Sequence, residues 1–187
     1  MGFRVVLADD ETLARRDLRE MLNELGHDVV GAARDGAEAL RLVRDTDPDV
    51  VMLDIKMPKE DGIAVARRIG EEYPVIILTA YSEQNLIQRA RDAGVMAYVT
   101  KPFRKADLSA AIELAVSNFV RQSALRERVE RLKEELQTRK MVEKAKGLLM
   151  QAENLTEAEA HRRIQQLSMS KGKSLRKVAE AIILMLE

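Results

Sequence analysis

The sequence predicts an α/β domain with a doubly wound, five-stranded parallel sheet, followed by a helical connector and an all-α three-helix domain. Three observations lead there. Short apolar runs recur five times before residue 100, segments with helical spacing separate them, and beyond Ala106 the pattern stays helical, with no proline after Pro102 and only Gly147 and Gly172 as glycines.

The apolar runs are Val5 to Ala8, Val29 to Ala33, Val50 to Leu53, Val75 to Leu78 and Val95 to Val99. Each is short, continuous and rich in β-branched residues, as expected of strands buried on both faces. Between them, Ala14, Leu18, Met21, Leu22 and Leu25, and later Ile63, Ala66 and Ile69, recur with the spacing of one helix face. Such alternation calls for right-handed crossovers and a parallel sheet covered on both sides, and five strands in this length suit the flavodoxin-like order. The front domain is assigned to residues 1–120, a helical connector to 121–138 and a three-helix domain to 139–187.

Within the connector, Leu125, Val129, Leu132 and Leu136 follow at steps of four, three and four, with Arg126, Arg128, Lys133 and Glu135 at the flanking positions. Two readings stand side by side: a short two-chain coiled-coil seam, or an amphipathic helix lying on its own domain. Three further helices are expected around 139–152, 156–170 and 174–186. Thr156 with Glu159 has the form of a capping box, and Ser174 after Gly172 marks the last start. Val142, Ala145, Leu149, Ala160, Ile164, Leu167, Leu175, Val178, Ile182 and Met185 supply the expected core.

Composition narrows the chemistry. The 187 residues include no cysteine, which excludes disulfides, thiol nucleophiles and thiolate zinc sites and fits a cytoplasmic protein. Only two histidines occur, too few for a histidine metal cluster. The longest wholly apolar run, Ala181 to Leu186, falls far short of the ~20 residues of a membrane span, so no membrane partner is expected. The net charge of zero conceals an asymmetry. Residues 1–120 carry 16 Lys and Arg against 21 Asp and Glu, a net of −5, and the remainder carries 15 against 10, a net of +5. An acidic front and a basic back imply different partners.

Open parallel sheets bind ligands beyond the carboxyl ends of their strands. The residues there are Asp9 and Asp10 after the first run, Asp54 after the third, Thr79 after the fourth and Lys101 after the fifth. Three carboxylates gathered at one edge repel one another, and a hard divalent cation such as Mg²⁺ relieves this repulsion. A phosphoryl group beside that ion would gain from the Thr79 hydroxyl and the Lys101 ammonium, and Asp54 could be the carboxylate that attacks phosphorus. An aspartate at a strand end is often only a cap for the next helix. Five such residues in order, each set at a strand end, favour chemistry.

Residues 3 to about 120 resemble the receiver domain of two-component response regulators, through Asp9-Asp10, Asp54-Ile55-Lys56-Met57-Pro58 with Asp61-Gly62, Thr79-Ala80 and Lys101-Pro102-Phe103. The resemblance implies that Asp54 accepts phosphate from a sensor histidine kinase, that Asp10, Asp54 and the Lys56 carbonyl hold Mg²⁺, and that Asp9 helps through water. It further implies that Thr79 and Lys101 contact the phosphoryl oxygens, that Tyr98 is the aromatic that turns inward when Thr79 moves, and that Pro102 follows a cis bond. A dehalogenase-like phosphatase would need a second aspartate two residues after the nucleophile, where this chain has Lys56, so a regulator rather than an enzyme is expected.

The segment from Arg139 to Leu186 resembles an ANTAR domain, the RNA-binding antitermination module found behind receiver domains. The likeness lies in Arg139 to Met150, in Thr156-Glu157-Ala158-Glu159-Ala160 and in Leu175-Arg176-Lys177-Val178-Ala179, and it extends to the ANTAR response regulators of actinobacteria. It implies binding to hairpins of a nascent transcript, usually as a dimer, here one formed on phosphorylation. Arg139, Lys140, Lys144, Lys146, Arg176 and Lys177 are the candidate RNA contacts. Two positions depart from the family pattern: His161 replaces a usual aromatic and Gln165 a common Arg. With no aromatic residue after Phe119, base-stacking platforms are missing and recognition would rest on phosphate contacts and loop shape. A DNA-binding output and a purely protein-binding, dimerising output remain the two rivals.

Overall fold

The computed structural model describes residues 2–80 and 84–186, which divide into two compact units, Met1–Ser123 and Ala124–Glu187. In the first unit, β1 (Arg4–Ala8), β2 (Asp28–Ala33), β3 (Val50–Asp54), β4 (Val75–Thr79) and β5 (Ala97–Thr100) form one parallel sheet in the order β2-β1-β3-β4-β5. The helices between them are α1 (Thr12–Glu24), α2 (Gly36–Thr46), α3 (Gly62–Ile69) and α4 (Gln84–Asp92). The order reverses at β1, so β1 and β3 lie side by side with their carboxyl ends at the switch point, and Val5 to Ala8 pair in register with Val50 to Leu53.

Side-chain alternation along the strands divides the core into two layers. Val6, Ala8, Val51, Leu53, Val75 and Ile77 pack with α2 and α3 through Leu40, Val43, Ile63 and Ala66. Val5, Leu7, Val50, Met52, Ile76 and Leu78 pack with Leu18, Leu22, Leu108 and Ile112. Every residue of β3 and β4 is buried, which explains why they read as unbroken apolar runs.

The helical half departs from expectation first in where its helices begin. No separate helix starts near residue 139. Instead α5 runs unbroken from Lys105 to Glu153, 49 residues, through the expected connector and into the expected first output helix. The reason is local: this stretch has no proline, a single glycine, and a predominance of Ala, Leu, Glu, Lys and Arg, so nothing terminates the backbone. It ends where Asn154 takes a left-handed conformation, φ 53°. Helix α6 (Glu157–Lys171) opens on Thr156, whose side chain accepts from the Glu159 N–H while Glu159 reaches back to the Thr156 N–H, a complete capping box. Gly172 closes it at φ 59°, and α7 (Leu175–Leu186) follows.

Val142, Ala145, Leu149, Ala160, Ile164, Val178, Ala179 and Ile182 form the second unit's core. Met185, expected in it, is 83% exposed, and Ala179 is buried instead. Leu125, Val129, Leu132 and Leu136 are also exposed, so the stripe does not lie against its own unit. The one glycine of α5, Gly147, has ordinary helical surroundings, and a Cβ added there would meet nothing within 4 Å. Gly147→Ala should therefore stabilise the helical unit by about 1 kcal/mol, through the smaller entropy loss of alanine on folding. A denaturation midpoint that fell instead of rising would show hidden crowding at this position.

Candidate functional site

The carboxyl edge of the sheet gathers the five residues that the sequence singles out. Asp54 is the last residue of β3 and Thr79 the last of β4, while Asp9 and Asp10 follow β1 and Lys101 follows β5. Oxygens of Asp9, Asp10 and Asp54 lie within 4.8 Å of one another. Together with Glu11, Ile55, Lys56, Thr79, Ala80 and Lys101, Asp10 and Asp54 line a cleft of about 260 Å³. Asp9 is 1% exposed, Asp54 8% and Thr79 6%, whereas Asp10 faces solvent.

Charge in this cleft is partly balanced from within. Lys101 Nζ donates to Asp9 Oδ2 at 2.6 Å and stands 3.4 Å from Asp54 Oδ1. Burial pushes the Asp54 carboxyl above its ordinary value; Lys101 opposes this and Asp9 adds to it. Burial would lower the Lys101 ammonium, but its hydrogen bond to Asp9 and the nearby Asp54 carry it above its usual range. Asp9, Asp10, Glu11 and Asp54 outnumber Lys56 and Lys101 around the cleft, so an excess of negative charge remains. All the donors are hard oxygens, one group is exposed, and the cleft is open, so these residues fit a divalent cation of the magnesium type.

Several backbone features hold the cleft. The Lys101 N–H donates to the Thr79 carbonyl at 2.7 Å, and the Lys101–Pro102 bond is cis. Arg15 Nη1 donates to the Asp9 and Asp10 carbonyls at 2.7 and 3.1 Å, a contact that sequence reading did not anticipate. At the start of α3, a Cβ on Gly62 would stand 2.1 Å from the Asp54 carbonyl oxygen, so only glycine lets that helix approach the end of β3. Tyr98 lies away from the cleft at 52% exposure. It borders a larger groove of about 940 Å³ between α4, β5 and the start of α5, where no acidic cluster is found among the described residues.

In the helical unit, the candidate RNA contacts do not all share one fate. Arg139, Lys140, Lys144 and Lys177 are exposed, and Arg176 is half-buried with its Nε donating to Glu180 Oε1 at 2.9 Å. Lys146 is a correction. Its side chain is 9% exposed and its ammonium stands 2.8 Å from both Glu143 and Glu157, so it ties α5 to the start of α6 and is not offered to a phosphate. These two carboxylates hold its pKa above the usual lysine value. Three cations that the candidate set omits, Arg163, Lys171 and Lys173, join Lys177 around a groove of about 700 Å³ whose floor includes Leu167 and Val178. The signal was present in the sequence as charge spread over α6 and the turn after it, without a pattern to mark it.

A parallel sheet with an acidic cleft at its switch point, joined to a small basic helical unit, defines a signalling protein of receiver-plus-output design. Comparison with known families narrows this. Residues 5–113 match the response regulator receiver domain and residues 130–183 the ANTAR domain. The chain belongs to the response regulators that carry a receiver domain followed by an ANTAR domain. It is 48% identical over 182 residues to the transcriptional regulatory protein PdtaR of Mycobacterium tuberculosis, covering 96% of this chain and 89% of that one. It is 38% identical over 106 residues to the sporulation initiation phosphotransferase F of Bacillus subtilis, covering 55% of this chain and 85% of that protein. Among solved structures, the receiver domain of a modulated diguanylate cyclase from Desulfovibrio desulfuricans G20 matches with a TM-score of 0.60 and 30% identity, over 65% of this chain and 99% of that one. The CheX–CheY–BeF3–Mg²⁺ complex of Borrelia burgdorferi matches with a TM-score of 0.56 and 28% identity, over 59% of this chain and 86% of that one. No helix among the described residues is long and apolar enough to cross a membrane.

Proposed function

We propose that the protein is a cytoplasmic, phosphorylation-controlled RNA-binding regulator, in which charging of Asp54 by a sensor histidine kinase governs hairpin binding and transcription antitermination by the helical unit. The observation that carries this reading is the joining, in one chain, of an oxygen-lined cleft around Asp54 to a basic helical unit of the ANTAR family. Residues 1–120 act as the receiver, 121–138 as the connector and 139–187 as the output.

Asp54 supplies the nucleophile. Its carboxylate oxygen forms the new bond to phosphorus while the P–N bond of the donor phosphohistidine breaks and the imidazole takes the electron pair. Burial raises the basicity of this carboxylate, which suits attack. Asp10, Asp54 and the Lys56 carbonyl would hold Mg²⁺, with Asp9 assisting through water; the ion supplies charge neutralisation for the oxygens of the transferring group. Lys101, already drawn toward Asp9 and Asp54, then has a phosphoryl oxygen as its third anionic partner, and Thr79 donates its hydroxyl to another. Tyr98, exposed in this structure, and the turn at Pro102 follow the movement of Thr79.

On the output side, Arg139, Lys140, Lys144, Arg176 and Lys177 bind RNA phosphates. The exposed Leu125, Val129, Leu132 and Leu136 stripe supports a homodimer formed through a coiled-coil seam on phosphorylation. Fluorescence titration of short RNA hairpins, with duplex DNA as competitor at one fixed salt concentration, tests the reading with and without Mg²⁺ and beryllofluoride. Tighter hairpin binding in the beryllofluoride state is expected, with affinity falling steeply as salt rises. Preference for the duplex would favour a DNA-binding output, and no binding in either state would favour a protein-binding one.

A further inference from the structure

The loop from Ile55 to Asp61 joins β3 to α3, and its first two residues, Ile55 and Lys56, line the acidic cleft. Its Lys59 adopts a left-handed backbone, φ 69°. For a residue with a Cβ this conformation costs roughly 1–2 kcal/mol. The ammonium of Lys59 donates to Asp35 Oδ2 at 2.7 Å, and the Asp35 side chain is 5% exposed. Asp35 also caps α2, accepting from the Glu38 N–H at 2.9 Å. Behind the pair the packing is tight: a Cβ on Gly36 would stand 2.4 Å from the Glu60 carbonyl oxygen, so the first turn of α2 bears directly on the loop.

The loop's other ion pairs are weaker anchors. Arg68 to Glu60 and Arg89 to Asp61 join groups that are all substantially solvated, with side-chain exposures of 57% and 28%, and of 56% and 44%. Such pairs contribute little. Asp35 differs because its side chain is almost wholly removed from water and the Lys59 ammonium hydrogen-bonds directly to it, with Arg34 acting only at longer range. The Lys59 side chain itself is 64% exposed, so removing it leaves the buried carboxylate with the Glu38 N–H and the more distant Arg34 charge, a loss larger than that of a pair solvated on both sides. Residues 35 and 59 take no part in the phosphoryl chemistry described above.

We propose that Asp35 and Lys59 form a positioning pair, which clamps the β3–α3 loop against α2 and so sets the backbone at Lys56 for the divalent cation. The proposal rests on the magnesium reading of the cleft. The pair touches neither the ion nor the phosphoryl group. It acts by selecting one loop conformation, a strained one at Lys59, so that the backbone oxygen the ion needs is in place before the ion arrives.

Asp35→Asn separates this role from simple helix capping, because asparagine caps a helix about as well as aspartate but cannot neutralise Lys59. Lys59→Met removes the same pair from the other side. In the full chain, titration calorimetry with Mg²⁺ should show affinity about three- to ten-fold weaker for either variant, at or below the lower end of the usual effect of outer-sphere partners. The double variant should be no weaker than the worse single one, as expected of residues that act as a unit. Phosphorylation by acetyl phosphate at saturating Mg²⁺ should stay near the wild-type rate, with only its Mg²⁺ requirement raised. Unchanged Mg²⁺ affinity in both single variants, with or without a lower unfolding midpoint, would overturn the proposal and leave the pair as a structural tie. Failure of the unmodified chain to bind Mg²⁺ would remove the reading of the cleft itself, and the positioning role with it.

Discussion

Asp54→Asn is expected to abolish phosphoryl uptake from acetyl phosphate or from a kinase, with intact-protein mass spectrometry showing no added phosphoryl group. The amide cannot supply the attacking oxygen anion, and the two neighbouring aspartates are poorly placed to replace it. Asp9 is buried against Lys101, and Asp10 faces solvent at the mouth of the cleft. The fold should survive, because asparagine has nearly the same shape and Lys101 keeps its 2.6 Å contact to Asp9. Stability should even hold or rise at pH values above the raised Asp54 value. Burial raises the Asp54 pKa, so the folded chain binds a proton more tightly than the unfolded one. Any stability from that proton is present at low pH and is lost as pH rises through the raised value. Above it the ionised Asp54 is a burden that the asparagine variant does not carry. A variant that still incorporates one phosphoryl group would transfer the acceptor role to another carboxylate.

Ile164→Ala should have the largest effect on folding, and only on the helical unit. Ile164 is fully buried among Val142, Ala145, Leu149, Ala160, Val178, Ala179 and Ile182. Large-to-small changes of this type cost about 2–5 kcal/mol. A core this small rarely supplies more than about 3–5 kcal/mol in total. The variant should therefore lose most of the helicity of α6 and α7 at physiological temperature, and limited proteolysis should cut beyond Ser123 while residues before it stay protected. RNA binding should disappear and phosphoryl uptake should persist. Resistance to protease equal to that of the unmodified chain would show that the three helices can close around the missing atoms.

The front half was legible because its strands are buried on both faces and the chemistry follows them at once, as at Asp54 and Lys101. The last strand shows the limit. The apolar run begins at Val95, yet β5 begins at Ala97, because Gly94, at φ 81°, turns the chain immediately before it and the approach to β4 starts only with the Met96 N–H on the Val75 carbonyl. The single helix α5 was harder to foresee. Its apolar face contributes Leu108 and Ile112 to one core, exposes Leu125 to Leu136, and then contributes Val142 to Leu149 to another. Three surface patterns follow one another on a backbone that never breaks, and periodicity registers the patterns rather than the backbone. In the candidate site, charge could be counted but not its availability. Lys146 is engaged by Glu143, one turn away, and by Glu157, on another helix. Lys59 reaches Asp35 across 24 positions, a distance at which no local spacing rule applies.

The contact between Lys101 and Asp9 closes over 92 positions of sequence. During synthesis, both aspartates that follow β1 and the one that ends β3 leave the ribosome well before Lys101, which pairs with Asp9 and approaches Asp54. A partly made chain therefore holds the carboxylates without their lysine, and without β5 to seal the sheet edge beside β4. The cleft becomes complete only when the last strand is in place. A chain that stops before β5 therefore lacks Lys101 and the finished cleft.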